Sequence, residues 1–316
     1  MTNRRQVLLV MLLGAAPAWA IDITTCGTLI SAGESGVLQV DLDCAPTTAP
    51  AVVVLKNGTL ELNGHRLRGG PTAPVVLGAR DATGAEPGNF TIVGPGEIAG
   101  TAPDPGPFIF TGGCVDVNNG RVTVTSASGT VDVHGCINGI FGGTGTDTLG
   151  GRARVKIDHV TLHDNWRSAV VARTITAADV EAYNHATGVA LSARRIRVTN
   201  VYVHHNNVGL GAEVIRGSDV IASDNIGPDP GSAGGNAIFG SKTIVLSNLV
   251  SMNNTNPGIS GVRVKLVDST VTNNGLRGPH FMVDIETERR PVLIDSTCLH
   301  SEVSPSGGDW DVCVDD

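Results

Sequence analysis

The sequence predicts an all-β protein built as a single right-handed parallel β-helix, a solenoid of about ten coils. Three observations predict it. Apolar positions recur about every twenty residues, short runs alternate apolar and polar residues with period two, and no helical stretch separates these runs. The chain also contains 41 Gly among 316 residues and only 3% aromatic residues, which suits stacked short strands better than a bulky core.

The first twenty residues are predicted to be a secretory signal, outside the folded domain of residues 21–316. Arg4 and Arg5 precede an apolar stretch at residues 7–16, and the small residues of 18–20 suit cleavage near Ala20. This stretch is too short to cross a bilayer, which needs about 20 residues, and no later segment is long enough. We therefore expect a secreted or periplasmic protein without a membrane span.

Cleavage also changes the charge balance. Removing Arg4 and Arg5 from the 22 basic residues leaves 20 against 30 acidic residues, a net charge of −10. Such a balance argues against a protein that coats nucleic acid.

The repeat is defined by one apolar or small anchor position in seven successive units. The anchors are Val160, Val180, Val201, Val220, Leu249, Ser269 and Ser296. The polar residues immediately before them are His159, Asp179, Asn200, Asp219, Asn248, Asp268 and Asp295. Because Asp and Asn tolerate left-handed φ and bond to nearby backbone, these positions predict tight corners between strands.

The unequal spacings predict one variable turn per coil. The extra residues fall near 226–236 and 275–280, and the other two turns stay short. Parallel strands joined by crossovers are right-handed by default, which sets the expected handedness. The outward row on the strand after the variable turn is predicted to be Val170, Ala190, Gly211, Phe239, Ser260 and Asp284, with one acidic member.

Six cysteines in an exported chain predict disulfides. Fifteen complete pairings are possible, and pairing of sequence neighbours is the preferred one. That choice gives Cys26–Cys44, Cys114–Cys136 and Cys298–Cys313. No Cys-x-x-Cys occurs, which disfavours a cysteine-based zinc site.

The opening coils resemble a known family. Residues 60–69 (Leu-Glu-Leu-Asn-Gly-His-Arg-Leu-Arg-Gly) and residues 90–98 resemble those of secreted right-handed β-helix proteins of the pectin-lyase-like superfamily, in a subgroup without assigned activity. Cys26 and the segment ending at Cys44 resemble that group's disulfide-closed N-terminal cap. We place this cap at residues 21–58 and expect a C-terminal cap at residues 296–316. The resemblance implies a fold and leaves the activity open.

The catalytic signatures of this superfamily are mostly missing. The chain lacks the acidic calcium ligands of pectate lyases, the Asn-Thr-Asp and Asp-Asp elements of polygalacturonases and the Asp-Pro-His-Asp of mannuronan epimerases. Residues 64–66 (Gly-His-Arg) are similar to a catalytic Gly-His-Gly, but a structural role is favoured because the other elements are absent.

One concentration of titratable residues remains at the strand end before the variable turn. His163, Tyr183, His204 and Arg167 are the candidate catalytic residues, since a His base, a Tyr proton donor and a cation would suit metal-free β-elimination of a uronate. The candidate substrate-binding residues are Trp166, Asp164, His185, His205, Asp224 and Asn165. The same residue types also serve as plain turn residues, and no cofactor is predicted, although a divalent metal at the His/Asp cluster stays open.

Basic residues concentrate on the first strand of each repeat or the turn before it. They are Arg152, Arg154, Lys156, Arg173, Arg194, Arg195, Arg197, Arg216, Lys242, Arg263 and Lys265. Stacking would align them into a stripe that suits anionic groups, although a solvated sheet face is the simpler interpretation. We expect a protein that binds or processes a polysaccharide, and an acidic polysaccharide is the favoured case. If the protein processes this polymer, a metal-independent lyase reaction is one form that the processing could take. The alternative is a non-catalytic envelope or surface module.

Overall fold

A computed structural model describes residues 20–71, 73–79, 88–101, 113–117, 120–143, 151–227, 235–276 and 282–314. The predicted signal therefore lies outside the described residues, except that Ala20 begins the first strand. The described residues form strands and turns without any helix, so they offer no helix able to span a membrane.

Twenty-four strands are described, and they lengthen towards the middle of the chain. Strands β1 to β8 are Ala20–Ile23, Thr28–Ile30, Ser35–Leu38, Leu42–Asp43, Val52–Val54, Gly58–Glu61, Arg66–Arg68 and Val76–Gly78. Strands β9 to β16 are Asn89–Ala99, Gly113–Asp116, Arg121–His134, Asn138–Phe141, Arg154–His163, Ser168–Tyr183, Val189–His204 and Val208–Ser223. Strands β17 to β24 are Ile238–Met252, Ile259–Gly261, Val264–Val267, Thr270–Thr272, Ile285–Thr287, Val292–Ile294, Thr297–Cys298 and Ser301–Val303.

All pairings between these strands are parallel, and they form one continuous sheet. The register places Val160 beside Val180, then Val201, Val220 and Leu249. The anchor repeat is therefore confirmed over these coils. This all-parallel stacking is consistent with a parallel β-helix.

The predicted corners are confirmed by the backbone. All seven residues that precede the anchors adopt φ between 48° and 57°. Glycine, Asn and Asp enter this left-handed region at the lowest cost. Five of the seven bend the long strands β13 to β17, and Asp268 and Asp295 form corners between short strands.

The interior is narrow and aliphatic, as the composition predicts. Along Ser168–Tyr183, residues alternate between buried and partly exposed, and Ile175 and Ala182 are fully buried. Val, Ile, Leu and Ala fill most of the space between the stacked strands, which explains why few aromatic residues are needed. Phe90 and Phe141 are among the aromatics that reach the core.

The predicted outward row was wrong at three positions. Val170 and Ala190 are fully buried and Asp284 is 1% exposed. Val170 is one residue from the outward Val171, and a shift of one residue exchanges the two faces of a strand. Ala190 and Asp284 each lie two residues before the outward positions Ser192 and Glu286. The outward row is Val171, Ser192, Gly211, Phe239, Ser260 and Glu286, which still contains one acid.

A ladder of buried polar side chains runs beside the core. Its members are Asn165, His185, Asn206, Asn225, Asn254 and Asn274, each 0–1% exposed. Each described Asn amide bonds to backbone of the adjacent coil, as Asn206 Nδ2 does to the Ala182 carbonyl at 2.9 Å. The ladder therefore satisfies the backbone groups that the turns leave unpaired.

Three disulfides join sequence neighbours. They are Cys26–Cys44, Cys114–Cys136 and Cys298–Cys313, which is the preferred pairing among those open from the sequence. Residues 20–58 already contain paired strands of the common sheet, such as β1 with β3. The two proposed caps therefore stay predictions.

Candidate functional site

Four aromatic rings stack on the outer face at the ends of β11, β13, β14 and β15. This ring row consists of His134, His163, Tyr183 and His204. Successive ring centroids are 4.7, 5.1 and 5.0 Å apart, and the planes lie within 12° of parallel. Parallel register spaces equivalent side chains about 4.8 Å apart, which accounts for the stack. The structure thus brings His163, Tyr183 and His204 together and adds His134.

Carboxylates lie two residues before the rings on neighbouring strands. This acid row consists of Glu97, Asp132 and Glu181. The contacts are His134 Nε2 to Glu97 Oε1 at 3.0 Å, His163 Nε2 to Asp132 Oδ1 at 3.0 Å, and His204 Nε2 to Glu181 Oε1 at 3.1 Å. Each histidine of the row therefore pairs with a carboxylate on the adjacent preceding strand of the sheet.

His163 is held at both ring nitrogens. Its Nδ1 lies 2.7 Å from Asp164 Oδ2, and Asn184 Nδ2 donates to Asp164 Oδ1 at 3.2 Å. Burial lowers the pKa of His163, but the hydrogen bond to Asp164 and the charge of Asp132 outweigh it and raise the pKa above its ordinary value. The arrangement favours a protonated ring, which donates protons more readily than it accepts them.

Tyr183 is also kept in its protonated form. Burial, followed by the negative charges of Glu181, Asp132 and Asp164, raises the pKa of its hydroxyl. A proton donor at this position suits the role that the sequence predicts, while a base at this hydroxyl is disfavoured.

His204 and His205 form the other end of the row. Their Nδ1 atoms are 2.8 Å apart, and Tyr202 stacks on His204 with centroids at 4.1 Å. A hydrogen bond between two imidazole nitrogens needs one unprotonated acceptor, so one of the two nitrogens carries a lone pair. His205 is exposed and adopts φ 53°, which also makes it a corner residue.

Trp166 and Arg167 lie on the turn that follows the His163 strand. The Arg167 guanidinium sits 5.5 Å from the Trp166 ring centroid, a cation–π distance. Burial lowers the pKa of Arg167. Asp164 and Asp224 both occupy positive-φ corners at 49° and 54°, so turn formation accounts for each of them at least in part.

Two of the predicted substrate-binding residues are corrected. Asn165 and His185 are 0% and 1% exposed, because both point inward as members of the buried ladder. A substrate on the surface cannot contact them. Burial lowers the pKa of His185 to about 4, so this ring is neutral at physiological pH.

Sequence analysis missed Glu97, Asp132, His134 and Glu181. A signal was available, because residues 131–134 (Val-Asp-Val-His) repeat the pattern of residues 160–163 (Val-Thr-Leu-His). The register breaks between Thr125 and Val131, and this irregularity displaced the coil from the twenty-residue period.

A polar depression of about 400 Å³ adjoins the acid row. It is lined by Asp41, Gly64, His65, Arg66, Gly96, Glu97, Thr130 and Asp132. The Arg66 backbone N–H donates to Asp41 at 2.9 Å and lowers the pKa of that carboxyl. Residues 64–66, assigned a structural role from sequence, therefore also form part of a surface concavity.

A second charged surface lies on the first strand of the repeat. We define the basic face as Arg121, Arg154, Lys156, Arg195, Arg197, Arg216, Arg263 and Lys265, all exposed. The register aligns Lys156, Arg197, Arg216 and Lys265 in one row, with uncharged residues between some members. Within the described part of the chain, no ion pair involves these eight side chains.

The neighbouring cations behave differently. Arg194 and Lys242 both pair with Glu213, at 3.1 and 2.7 Å, so they are neutralised locally. At its C-terminal end the basic face reaches a groove of about 270 Å³, whose cationic lining residues are Arg263, Lys265, Arg289 and Arg290. Much of the predicted stripe therefore presents positive charge that forms no ion pair with any residue that the structure describes.

Comparisons of the chain with protein-family models, with curated proteins and with solved structures found no match.

Proposed function

We propose that the protein is an exported, right-handed parallel β-helix of about ten coils, of the pectin-lyase-like type, which binds an acidic polysaccharide along its basic face. One observation carries the binding proposal. Eight exposed cations stand on the basic face without an ion-pair partner among the described residues, on a chain whose overall charge is −8.

The repeat explains why a polymer suits this surface. Successive coils place equivalent side chains about 4.8 Å apart, so the cations of one row lie one or two such spacings from each other along the solenoid axis. A polyanion could pair with several of them at once, each contact being weak in water but added to its neighbours. Adjacent cations such as Arg197 and Arg216 repel each other until an anion lies between them.

Export is supported by the three disulfides, which persist in oxidising compartments. Signal cleavage near Ala20 remains part of the proposal. In a periplasm or outside the cell, acidic polysaccharides and anionic envelope components are the partners that this face would meet.

The proposal is tested by titrating the chain with alginate, polygalacturonate and neutral dextran. We expect binding to both polyanions that weakens as salt rises, and none to dextran. The double variant Arg197→Gln/Arg216→Gln should bind at least about ten-fold more weakly. The charge-matched control Arg66→Gln/Arg68→Gln, on β7 and outside the basic face, should stay within about two-fold. Equal binding by both variants, or no binding to any polyanion, would refute the proposal.

Catalysis at the ring row is a second proposal, supported by the stacked proton carriers. The nitrogen that accepts the hydrogen bond within the His204–His205 pair would serve as the base, and the raised pKa values of His163 and Tyr183 suit proton donors. Glu97, Asp132 and Glu181 would repel a uronate there, so elimination needs a substrate whose carboxylate lies beside Arg167.

This second proposal predicts unsaturated-sugar absorbance when the chain is incubated with uronic-acid polymers. Activity should disappear in His204→Ala and in His163→Ala. Polymer binding without any such product would support the alternative class, a non-catalytic envelope or surface module that uses the basic face alone.

A further inference from the structure

Three potential metal ligands meet where the ring row and the acid row join. Asp132, His134 and His163 each offer a ligand atom, and these atoms lie within 4.8 Å of one another. Asp132 and His134 come from β11, and His163 comes from the adjacent strand β13 at the position paired with His134. The parallel register therefore brings the two imidazoles and the carboxylate together. The two rings are stacked with centroids 4.7 Å apart and planes within 11°, so one ring must rotate for both nitrogens to point at a single ion. All three side chains are partly buried, which limits competition from water.

The surroundings of His163 match those of a metal-bound histidine. Its Nε2 faces Asp132 at 3.0 Å, and its Nδ1 lies 2.7 Å from the carboxylate of Asp164. Asp164 is itself fixed by Asn184. Metal-ligating histidines commonly donate their second ring N–H to a carboxylate, which orients the ring and increases its basicity as a ligand.

The Asp132 carboxylate supplies an independent indication. Its Oδ1 is shielded from solvent and makes no hydrogen bond of good geometry to any described residue, although it lies 3.0 Å from His163 Nε2. A shielded carboxylate oxygen without a hydrogen bond is costly. A cation between Asp132 and the imidazoles would satisfy this oxygen.

The cluster also has an open side. Asp132 and Glu97 both line the polar depression of about 400 Å³, where water or a small polar ligand can reach the cluster. Glu97 contacts His134 Nε2 at 3.0 Å, so it is near enough to act as a further ligand or to orient bound water. Catalytic metal sites commonly have three protein ligands and one coordination position open to solvent, whereas structural sites are closed. The cluster has the form of the first kind.

We propose that Asp132, His134 and His163 bind one divalent transition-metal ion of the Zn²⁺ type, open to the depression beside Glu97. Imidazole nitrogen with carboxylate oxygen is a ligand set that suits Zn²⁺ and its neighbours in the first row. The site is independent of the basic face. The two lie at opposite ends of the same strands: on β13, Lys156 precedes the corner residue His159 and His163 follows it.

Two other clusters fit less well and serve as controls. His204 contacts Glu181, but its Nδ1 faces His205 instead of a carboxylate. Asp158, His159 and Asp179 also bring three ligand atoms together, but His159 and Asp179 are exposed corner residues.

The test is calorimetric titration of the metal-free full chain with Zn²⁺ alone, with elemental analysis of the dialysed complex. We expect one Zn²⁺ per chain. His134→Gln, His163→Gln and Asp132→Asn should each weaken binding at least about ten-fold. The controls His204→Gln and His159→Gln should remain within about two-fold of the unchanged chain.

Folding and ligand identity are checked separately. Asp132→Asn keeps the side-chain shape, and circular dichroism of each variant should match the unchanged chain. Co²⁺ should give visible bands of a low-coordinate site that disappear in Asp132→Asn. The proposal is overturned if the unchanged chain retains no Zn²⁺, if the three ligand variants bind it normally, or if His159→Gln is the variant that loses it.

Discussion

The basic face and the ring row are made by the same parallel register, but they treat charge in opposite ways. On the basic face, side chains such as Arg197 and Arg216 are exposed and lack ion pairs among the described residues. In the ring row, His163 and His204 are only 17% and 14% exposed, and each contacts a carboxylate within 3.1 Å.

The difference comes from the side chains in the row that adjoins each charged row. Two residues before the rings, the neighbouring outward row carries Glu97, Asp132 and Glu181, which complement the histidines. The row beside Arg197 and Arg216 offers Thr199 and Ser218 instead, which carry no charge. Repetition aligns side chains in both regions, but only a complementary adjacent row neutralises them. This contrast separates a surface available to an external polyanion from a preorganised internal cluster.

The largest effect should follow from breaking the buried ladder beneath the ring row. Asn165→Ala leaves the Cys136 N–H and the Val133 carbonyl without their partners, so the free energy of unfolding should fall by about 3 kcal/mol. Urea unfolding measures this change. Arg197→Gln on the basic face is the comparison, with a change below about 0.5 kcal/mol. A loss below about 1 kcal/mol in Asn165→Ala would show that the ladder is not a major support.

His185→Asn should remove an acid sensitivity that belongs to the interior. Because burial lowers the pKa of His185 to about 4 from 6.5, the unfolded chain protonates first as pH falls. The stability that the neutral ring contributes is complete above pH 6.5 and is lost as pH falls towards 4, by about 3 kcal/mol at most. Asn is the residue of the other ladder positions, so the variant should keep the fold.

The measurement is the unfolding free energy at a series of pH values from 7 to 4. His159→Asn, at an exposed corner, is the control and should keep the acid loss of the unchanged chain. If the unfolding free energy of His185→Asn falls with pH as steeply as that of the unchanged chain, His185 is not the source of the acid sensitivity.

His163 should show the opposite pH dependence. Its pKa is raised in the folded chain, so the stability from its carboxylate pairing is present below its ordinary pKa of 6.5 and is lost as pH rises through the folded value. Asp164→Asn should lower the pKa of His163, which an NMR titration of the ring protons follows. Asp224→Asn changes an equivalent corner residue and should leave the NMR titration of His163 unchanged. An unchanged titration in Asp164→Asn would remove Asp164 as the cause.

The smallest effect is expected on the basic face. Arg197 and Arg216 are directly paired across the strands, and opposed like charges destabilise a sheet by a few tenths of a kcal/mol. Arg216→Gln should therefore raise the unfolding free energy slightly at low salt, and added salt should remove the gain. Thermal unfolding at two ionic strengths measures it. A loss of stability above about 0.5 kcal/mol would indicate an internal partner for Arg216.

Local sequence patterns predicted much of the architecture. The anchor from Val160 to Leu249 and the corner residues from His159 to Asp295 follow from short-range periodicity and from the left-handed φ that Asp and Asn tolerate. The place of the irregular coil before His134 was not predicted, because its extra residues interrupt the period on which the alignment depends.

The sequence by itself determined the parallel stacked repeat, its corners and the rows in which charged residues would align, because each depends on spacing along the chain. Only the tertiary structure decided which polar residues face inward. Asn165 and His185 are of the same residue types as the exposed corner residues beside them, yet they lie inside. It also decided which rows touch, and therefore that Asp132, His134 and His163 meet while the basic face has no ion-pair partner in the described part of the chain. Such contacts join residues about thirty positions apart, and their distances depend on how coils stack.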